Sequence, residues 1–237
     1  MKIANSILEF NKIRESLFGK IGFVPTMGAL HEGHLSLVQE SNNKCDHTII
    51  SIFINPKQFA PNEDFDNYPR KIDSDIEKLS SFDIDILFLP NSNEIYTDEY
   101  NGVDYNSYMF TILEGVTRPH FFTGVCDVVS RLFDIVNPTD AFFGEKDFQQ
   151  LRVIENMVEV LNYNINIISC KIIREENGLA MSSRNKYLKL DYRYRARIIF
   201  ETLNLGLKLV NNGEKNLTNL YQQLTAKLLL NPIITID

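Results

Sequence analysis

Between residues 20 and 173 the chain alternates short, continuous apolar runs with longer stretches whose apolar residues recur every three or four positions. The runs IGFVP (21–25), TIISIFI (48–54), IDILFLP (84–90), DAFFG (140–144) and INIISCKII (165–173) have strand length. Apolar residues at consecutive positions belong to strands covered on both faces. Helical spacing predicts helices over 34–43, 73–82, 123–137 and 147–162. It also predicts an opening helix through Ile3, Ile7, Phe10, Arg14 and Leu17, stopped by Gly19 and Gly22. A β-α-β-α succession of this kind builds an α/β fold around a doubly wound parallel sheet. After Asn185 the strand signals fade into two amphipathic helical stretches, YLKLDYRYRARIIFETLNLGLKLVNNG and NLTNLYQQLTAKLLL, before the strand-like run NPIITID. A boundary is therefore expected near 181–187, giving a domain over 1–184 and a small, mainly helical one over 185–237.

Composition narrows the class without changing the architecture. With 237 residues, 44% hydrophobic and 23% charged, the chain can bury a sizeable sheet and is neither fibrous nor disordered. A net charge of −7 argues against a nucleic-acid backbone as the main partner. Cys45, Cys126 and Cys170 are odd in number and widely spaced, fitting neither a disulfide framework nor a zinc cluster, and point to reduced thiols in a cytoplasm. No apolar stretch approaches the roughly 20 residues that span a bilayer, and the first residues have helical rather than signal-peptide periodicity. Neither export nor a membrane anchor is expected.

In doubly wound sheets ligands bind beyond the carboxyl ends of the strands. Four polar clusters follow strands here: PTMGALHEGH, NPKQF, GEKDFQQ and REENGLAMSSRN. In the first, a strand ends at Pro25 and a helix is expected to begin near 33–35, so unpaired helix N–H groups and the flexible Gly28 and Gly33 suit phosphate oxygens. The loop lacks the Gly-Lys-Ser/Thr ending of a Walker A motif, and its histidines, three apart, lack the spacing of a metalloprotease pair. His31 and His34 are then phosphate donors or ordinary residues of a solvated helix start. In the third cluster Lys146 suits phosphate and Asp147 a ribose hydroxyl, or both are a charged helix start. Of Gln149 and Gln150, one should face the cleft. Ser182, Ser183 and Arg184 are three consecutive donors for a triphosphate, although capping is the commoner use of such a serine. Gln58 follows a strand where a small polar substrate would be read. Arg118, beside Pro119 and ahead of a helix expected near Gly124, can meet phosphate or carboxylate. Asp73 and Asp75 could hold a metal-associated water, but an N-cap and a first-turn charge explain them with fewer assumptions.

Taken in this order, VPTMGALHEGHLSLV, SIFINPKQFAPNEDFDNYPR, FFGEKDFQQL and GLAMSSRNKYL resemble the pantothenate synthetase (pantoate–β-alanine ligase) family. That family belongs to the nucleotidyltransferase superfamily, with HxGH (here HEGH) and KMSKS-like (here AMSSRN) signatures. The resemblance covers about residues 20 to 190 and implies a Rossmann-like fold. The reaction it implies has two steps: pantoate and ATP give a pantoyl adenylate and pyrophosphate, and β-alanine then displaces AMP. Another adenylyl- or cytidylyltransferase of the superfamily is the alternative. Both nucleophiles arrive with the substrates, so positioning and charge stabilisation must carry the chemistry.

Matched residue by residue, His34 falls on the family's proton donor and His31 on its partner, both acting electrostatically, with Lys146 and Arg184 completing the catalytic set. Met27, Gly28, Ala29, Leu30, His31, Glu32, Gly33 and His34 match a first ATP-binding segment. Gly144, Glu145, Lys146 and Asp147 match a second, and Met181, Ser182, Ser183 and Arg184 a third. Ile173 matches an adenine contact and Arg118 a phosphate-facing arginine. Gln58 matches the glutamine shared by pantoate and β-alanine, and Gln150 a second pantoate glutamine. The resemblance further implies Mg²⁺ arriving with ATP, no resident metal, and a homodimer formed through the N-terminal domain. Two departures stand out. RPHFFTG places His120 early and Phe121 where the family has histidine, and family members continue beyond NPIITID, so a shortened lid domain is expected.

Overall fold

The computed structural model describes residues 1–61 and 63–236; Asn62 in APNEDF and Asp237 at the end of NPIITID lie outside them. Packing divides the chain into two compact units, Met1–Lys171 and Ile172–Asp237. The division precedes 181–187, so the segment GLAMSSRN belongs to the second unit rather than to the end of the first.

The first unit runs β1 (Lys2–Ala4), α1 (Ile7–Arg14), β2 (Ile21–Thr26), α2 (Glu32–Lys44), β3 (His47–Ile52), α3 (Ile72–Leu79), β4 (Ile86–Phe88), α4 (Ser92–Ile95), α5 (Glu114–Thr117), α6 (Phe121–Val136), β5 (Asp140–Gly144), α7 (Phe148–Val160) and β6 (Asn166–Cys170). Among the described residues these six strands form one parallel sheet in the order β1-β4-β3-β2-β5-β6. The continuous apolar runs follow from burial on both faces. Phe23, Ile49, Ile86, Phe88, Ala141 and Phe143 enter the core under α1, α6 and α7, while their neighbours Val24, Ile50, Leu87 and Phe142 enter the core under α2 and α3. From β2 the chain moves outward through β3 and β4, then crosses back to place β5 on the other side of β2. The reversal sets the switch point, and with it the ligand crevice, at the carboxyl ends of β2 and β5.

Two elements differ from the sequence pattern. Ile3 lies in β1, paired in register with Leu87, and not in a helix. Ser6 starts α1 at Ile7 by accepting a hydrogen bond from the Glu9 amide, and three residues are too few to show a strand period. Helix α6 begins at Phe121, ahead of Gly124. A Cβ on Gly124 would stand 2.2 Å from the Lys57 carbonyl oxygen, so this glycine lets α6 approach the NPKQ turn and does not start a helix.

In the second unit an antiparallel bridge between Arg174 and Ala180 closes a hairpin whose turn holds Gly178 at φ +90°. A 3₁₀ turn over Ser183–Tyr187 follows, then α8 (Leu190–Arg195), α9 (Ile198–Asn211) and α10 (Leu217–Leu229). The first amphipathic stretch is thus two helices. Residues 231–236 form a turn and irregular chain instead of a strand, with Asn231 Oδ1 accepting from the Ile233 amide and the Asn231 carbonyl from Ile234. Local Asn-Pro turn chemistry wins where no strand pairs with the run. Among the described residues no helix is long and apolar enough to cross a membrane.

Candidate active site

At the end of β2 the chain turns through Gly28 (φ +80°) and Ala29 (φ +51°), two successive left-handed residues. A Cβ at Gly28 would sit 2.9 Å from Ile52 Cγ2. Ala29 holds a conformation that costs an alanine about 1 kcal/mol or more. Buried Asp75 on α3 compensates: its carboxylate accepts the Ala29 and Leu30 amides at 2.8 Å each, and Lys78 Nζ donates to the Leu30 carbonyl at 2.6 Å. Asp75 is therefore a clamp on the loop after β2 as well as a first-turn charge of α3. Asp73 does not cap the helix; the N-cap position is Lys71, which makes no side-chain cap.

The loop delivers His31 to the N-cap of α2, whose first residue, Glu32, lies one to three residues ahead of the expected start. His31 Nδ1 accepts from the Gly33 amide at 3.1 Å, and His34 Nδ1 accepts from the His31 amide at 3.4 Å, a reciprocal box in which imidazoles do the work usually given to Ser and Glu. Each ring thus uses Nδ1 as acceptor, which assigns the proton to Nε2 on both. Their centroids are 4.1 Å apart. Burial first, then the charges of His31, Lys146 and Lys78, push the His34 pKa down from 6.5 to about 3. His34 is accordingly a neutral Nε2–H donor at the helix N-terminus, where an imidazolium would be disfavoured.

The opposite wall is the 3₁₀ turn Pro56–Gln58 after β3. Fully buried Asn55 organises it, donating from Nδ2 to Gln58 Oε1 (3.0 Å) and the Gly124 carbonyl (2.9 Å). Asn55 Oδ1 accepts from the Lys57 amide and from the Tyr96 hydroxyl at 2.7 Å. Desolvation, then Asp127, raises the Tyr96 pKa and keeps that hydroxyl a donor. With Oε1 held by Asn55, Gln58 offers its Nε2–H groups outward.

Between these walls, at the switch point, lies a cavity of about 180 Å³. Its lining is mostly apolar, with Phe53, Val125, Val128, Val129, Leu132 and Phe143, and its polar side chains are Thr26, His34, Gln58, Asp147 and Gln150. A pocket this small, below the usual range for drug-sized ligands, suits a compact branched molecule bearing a few polar atoms. Gln150 faces it, whereas Gln149 donates to the Met109 and Ile112 carbonyls and accepts from the Glu114 amide. Met27 and Gly144 also line it. Gly144 has φ −80° and an open Cβ direction, so its turn does not require glycine.

Lys146 and Asp147 stand in a 3₁₀ turn ahead of α7, paired at 2.9 Å across the surface. Such a pair is worth at most about 1 kcal/mol, so an arriving phosphate can take the lysine. Arg118 differs: its guanidinium forks to Glu63 at 2.7 Å through both Nε and Nη2, meets Glu114 at 2.8 Å and the Gln58 carbonyl at 3.0 Å, and lies 3.8 Å from the Phe121 ring centroid. Burial opposes its charge, but the two glutamates outweigh it and raise its pKa. Arg118 is thus neutralised by protein carboxylates, and Phe121, in the histidine's place, is its stacking partner. His120 occupies the N-cap of α6 without a side-chain cap.

Ile173, Met181, Ser182, Ser183 and Arg184 belong to the second unit. There the Ile173 carbonyl accepts from the Met181 amide at 3.0 Å, and Ser182 Oγ accepts from the Arg184 amide at 3.3 Å, the capping role that serine was expected to prefer.

Asp75 and Asn55 carry the substrate loop and Gln58, and sequence reasoning did not give them these parts. A model of the family described as pantoate-beta-alanine ligase matches residues 2–236. The chain is 44% identical over 240 residues to the pantothenate synthetase of Thermosipho africanus, covering 100% of this chain and 86% of that protein. It is 48% identical over 217 residues to that of Caldicellulosiruptor saccharolyticus, covering 92% and 77%. The crystal structure of pantothenate synthetase from Thermus thermophilus superposes with a TM-score of 0.91 at 35% identity, covering 98% of this chain and 83% of that one. That of the Francisella tularensis ligase, complexed with beta-gamma ATP and beta-alanine, gives 0.78 at 39% identity, covering 96% and 86%. With a family model spanning nearly its whole length and relatives this similar, the chain belongs to the pantoate–β-alanine ligase family.

Proposed function

We propose that the chain condenses pantoate with β-alanine at the expense of ATP, through a pantoyl adenylate, releasing pyrophosphate and AMP. The observation that carries this reading is the small apolar cavity at the switch point, walled by two glutamines and opening on the neutral His34. Pantoate's branched carbon skeleton packs on Val125, Val128, Val129 and Leu132, while Gln58 and Gln150 bond its oxygens. Its carboxylate oxygen attacks the α-phosphorus of ATP; that O–P bond forms as the bond to the bridging oxygen breaks, and pyrophosphate leaves with the electron pair. Nε2–H of His31 and His34, the α2 N-terminus and Lys146 stabilise the spreading phosphate charge without any reorganisation, a contribution of several kcal/mol in such sites. Ser182, Ser183 and Arg184 are proposed as further donors to the triphosphate. In the second step the β-alanine nitrogen attacks the acyl carbon and AMP departs, the nitrogen losing two protons between ammonium and amide.

The donor set of neutral imidazoles, amides and lysine suits phosphate oxygens better than a hard cation, so the Mg²⁺ accompanying ATP is held by phosphates. A homodimer is supported by the exposed apolar residues Tyr108, Leu113, Val116 and Phe148 on the first unit, Leu113 at φ +47°. A cytoplasmic location is supported by three free cysteines. Product analysis tests the activity: ATP, Mg²⁺, pantoate and β-alanine should yield stoichiometric AMP and pantothenate, and AMP formation independent of β-alanine would refute it.

A further inference from the structure

Of the two aspartates on α6, Asp134 is exposed and Asp127 is buried. Asp127 interrupts the apolar run Val125, Val128 and Val129 that walls the cavity, and no role assigned above uses it. Both of its carboxylate oxygens are engaged: Oδ2 accepts from Lys57 Nζ at 2.7 Å and Oδ1 from the Val103 amide at 2.9 Å. The Lys57 ammonium also lies 4.3 Å from the Tyr96 ring centroid and 5.7 Å from that of Tyr100, so aromatic faces and a carboxylate hold it together. Tyr100 donates its hydroxyl to the Asp127 carbonyl at 3.1 Å. Burial, then Asp127, pushes the Tyr100 pKa up to about 12 and keeps that hydroxyl a donor. Gly102, at φ +83°, lets the connection between α4 and α5 close on the carboxylate: a Cβ there would stand 3.1 Å from Asp127 Oδ1.

Lys57 is the middle residue of the Pro56–Gln58 turn. Its carbonyl abuts Gly124, its amide donates to Asn55 Oδ1, and Tyr96 beneath its ammonium gives its hydroxyl to the same Asn55 atom. Two walls of the cavity, the turn carrying Gln58 and the helix carrying the valines, are thus joined through backbone at Gly124 and through side chains at Asp127. We propose that Lys57 and Asp127 are positioning residues for the hydroxy-acid substrate: their ion pair straps the turn to α6 and sets where the Gln58 amide meets pantoate. Neither side chain is among those lining the cavity, so both act through Gln58. This rests on the ligase reading above.

Lys57→Met keeps the aliphatic stem and removes the charge at a half-exposed position. In pantoate-dependent ATP–pyrophosphate exchange the pantoate KM should rise about three- to tenfold, the range that one neutral hydrogen bond spans. The ATP KM and the maximal exchange rate should stay within twofold. Asp127→Asn should act in the same way, and K57M/D127N should raise the pantoate KM no further than the worse single variant, because both remove one interaction. Lys57→Arg keeps a cation and should raise it less than Lys57→Met. A pantoate KM unchanged in Lys57→Met, even with a lowered Tm, would reduce the pair to a structural tie and overturn the proposal. Equal rises in the ATP and pantoate KM, or single-variant effects that multiply in the double variant, would overturn it too. Absence of exchange in the wild type would instead refute the ligase reading.

Discussion

Asp75→Asn isolates the clamp on the substrate loop. The carboxylate makes two hydrogen bonds of 2.8 Å to backbone amides while almost wholly buried. An asparagine can accept only one of them; its NH₂ would face the other amide, donor against donor. Charge-assisted bonds contribute about 1.5–3 kcal/mol, and a buried unsatisfied amide costs about 1–3 kcal/mol, so the variant should lose about 2–4 kcal/mol. At roughly 2–4 °C per kcal/mol for a chain of this size, Tm falls by about 5–15 °C. The function should suffer more, because Ala29 is then free to leave φ +51° and carry His31 and His34 with it. A shift of about 1 Å in positioning groups costs about a hundredfold in rate. Urea unfolding followed by far-UV circular dichroism measures the first effect, the chain having no tryptophan, and ATP–pyrophosphate exchange measures the second. Asp73→Asn, exposed on the same helix, is the control and should change stability by less than about 0.5 kcal/mol. A D75N protein within about 0.5 kcal/mol and twofold of wild type would show the clamp to be dispensable.

Other substitutions probe other parts of the site. Because the His34 pKa lies near 3 in the folded chain and 6.5 is its ordinary value, the unfolded chain binds the extra proton between them. Stability present above pH 6.5 is therefore lost as pH falls toward 3, and His34→Gln should narrow the Tm gap between pH 7 and pH 5; an unchanged gap would place the acid sensitivity elsewhere. Gly28→Ala combines φ +80° with a Cβ 2.9 Å from Ile52 and should cost at least about 1 kcal/mol in thermal unfolding. Asn55→Leu frees the Gln58 amide to turn, and should raise the pantoate KM about tenfold or more in the exchange reaction while the ATP KM moves little. Arg118→Gln should lower Tm through loss of the Glu63 and Glu114 pairs and leave the ATP KM within threefold; a large rise in the ATP KM would show that phosphate competes for it.

Burial left its mark on the order of residues, which is why the sheet was legible. Strands β2, β3, β4 and β5 bury both faces, so Val24, Ile50, Leu87 and Phe142 read as consecutively apolar with their neighbours. β1 escaped because three residues at a sheet edge have no measurable period. Gly124 misled because a glycine needed for close packing looks like one that marks the start of a helix. The histidines and glutamines stood out through local clusters, but the groups that aim them did not: Asp75 reaches back 45 positions to Leu30, and Asn55 across 69 to Gly124. Arg118 likewise reads as an anion site until Glu63, 55 positions away, takes the charge. Protonation was equally hidden, since the neutrality of His34 comes from its surroundings and not from the HEGH spacing.

Isotope exchange between pyrophosphate and ATP is the most direct measurement of the adenylate. In the absence of β-alanine, the wild-type protein with Mg²⁺ should exchange label only when pantoate is present, and adding β-alanine should convert exchange into net AMP release. Exchange that ignores pantoate, or none from folded protein supplied with ATP, Mg²⁺ and pantoate, would contradict acyl-adenylate chemistry at this site.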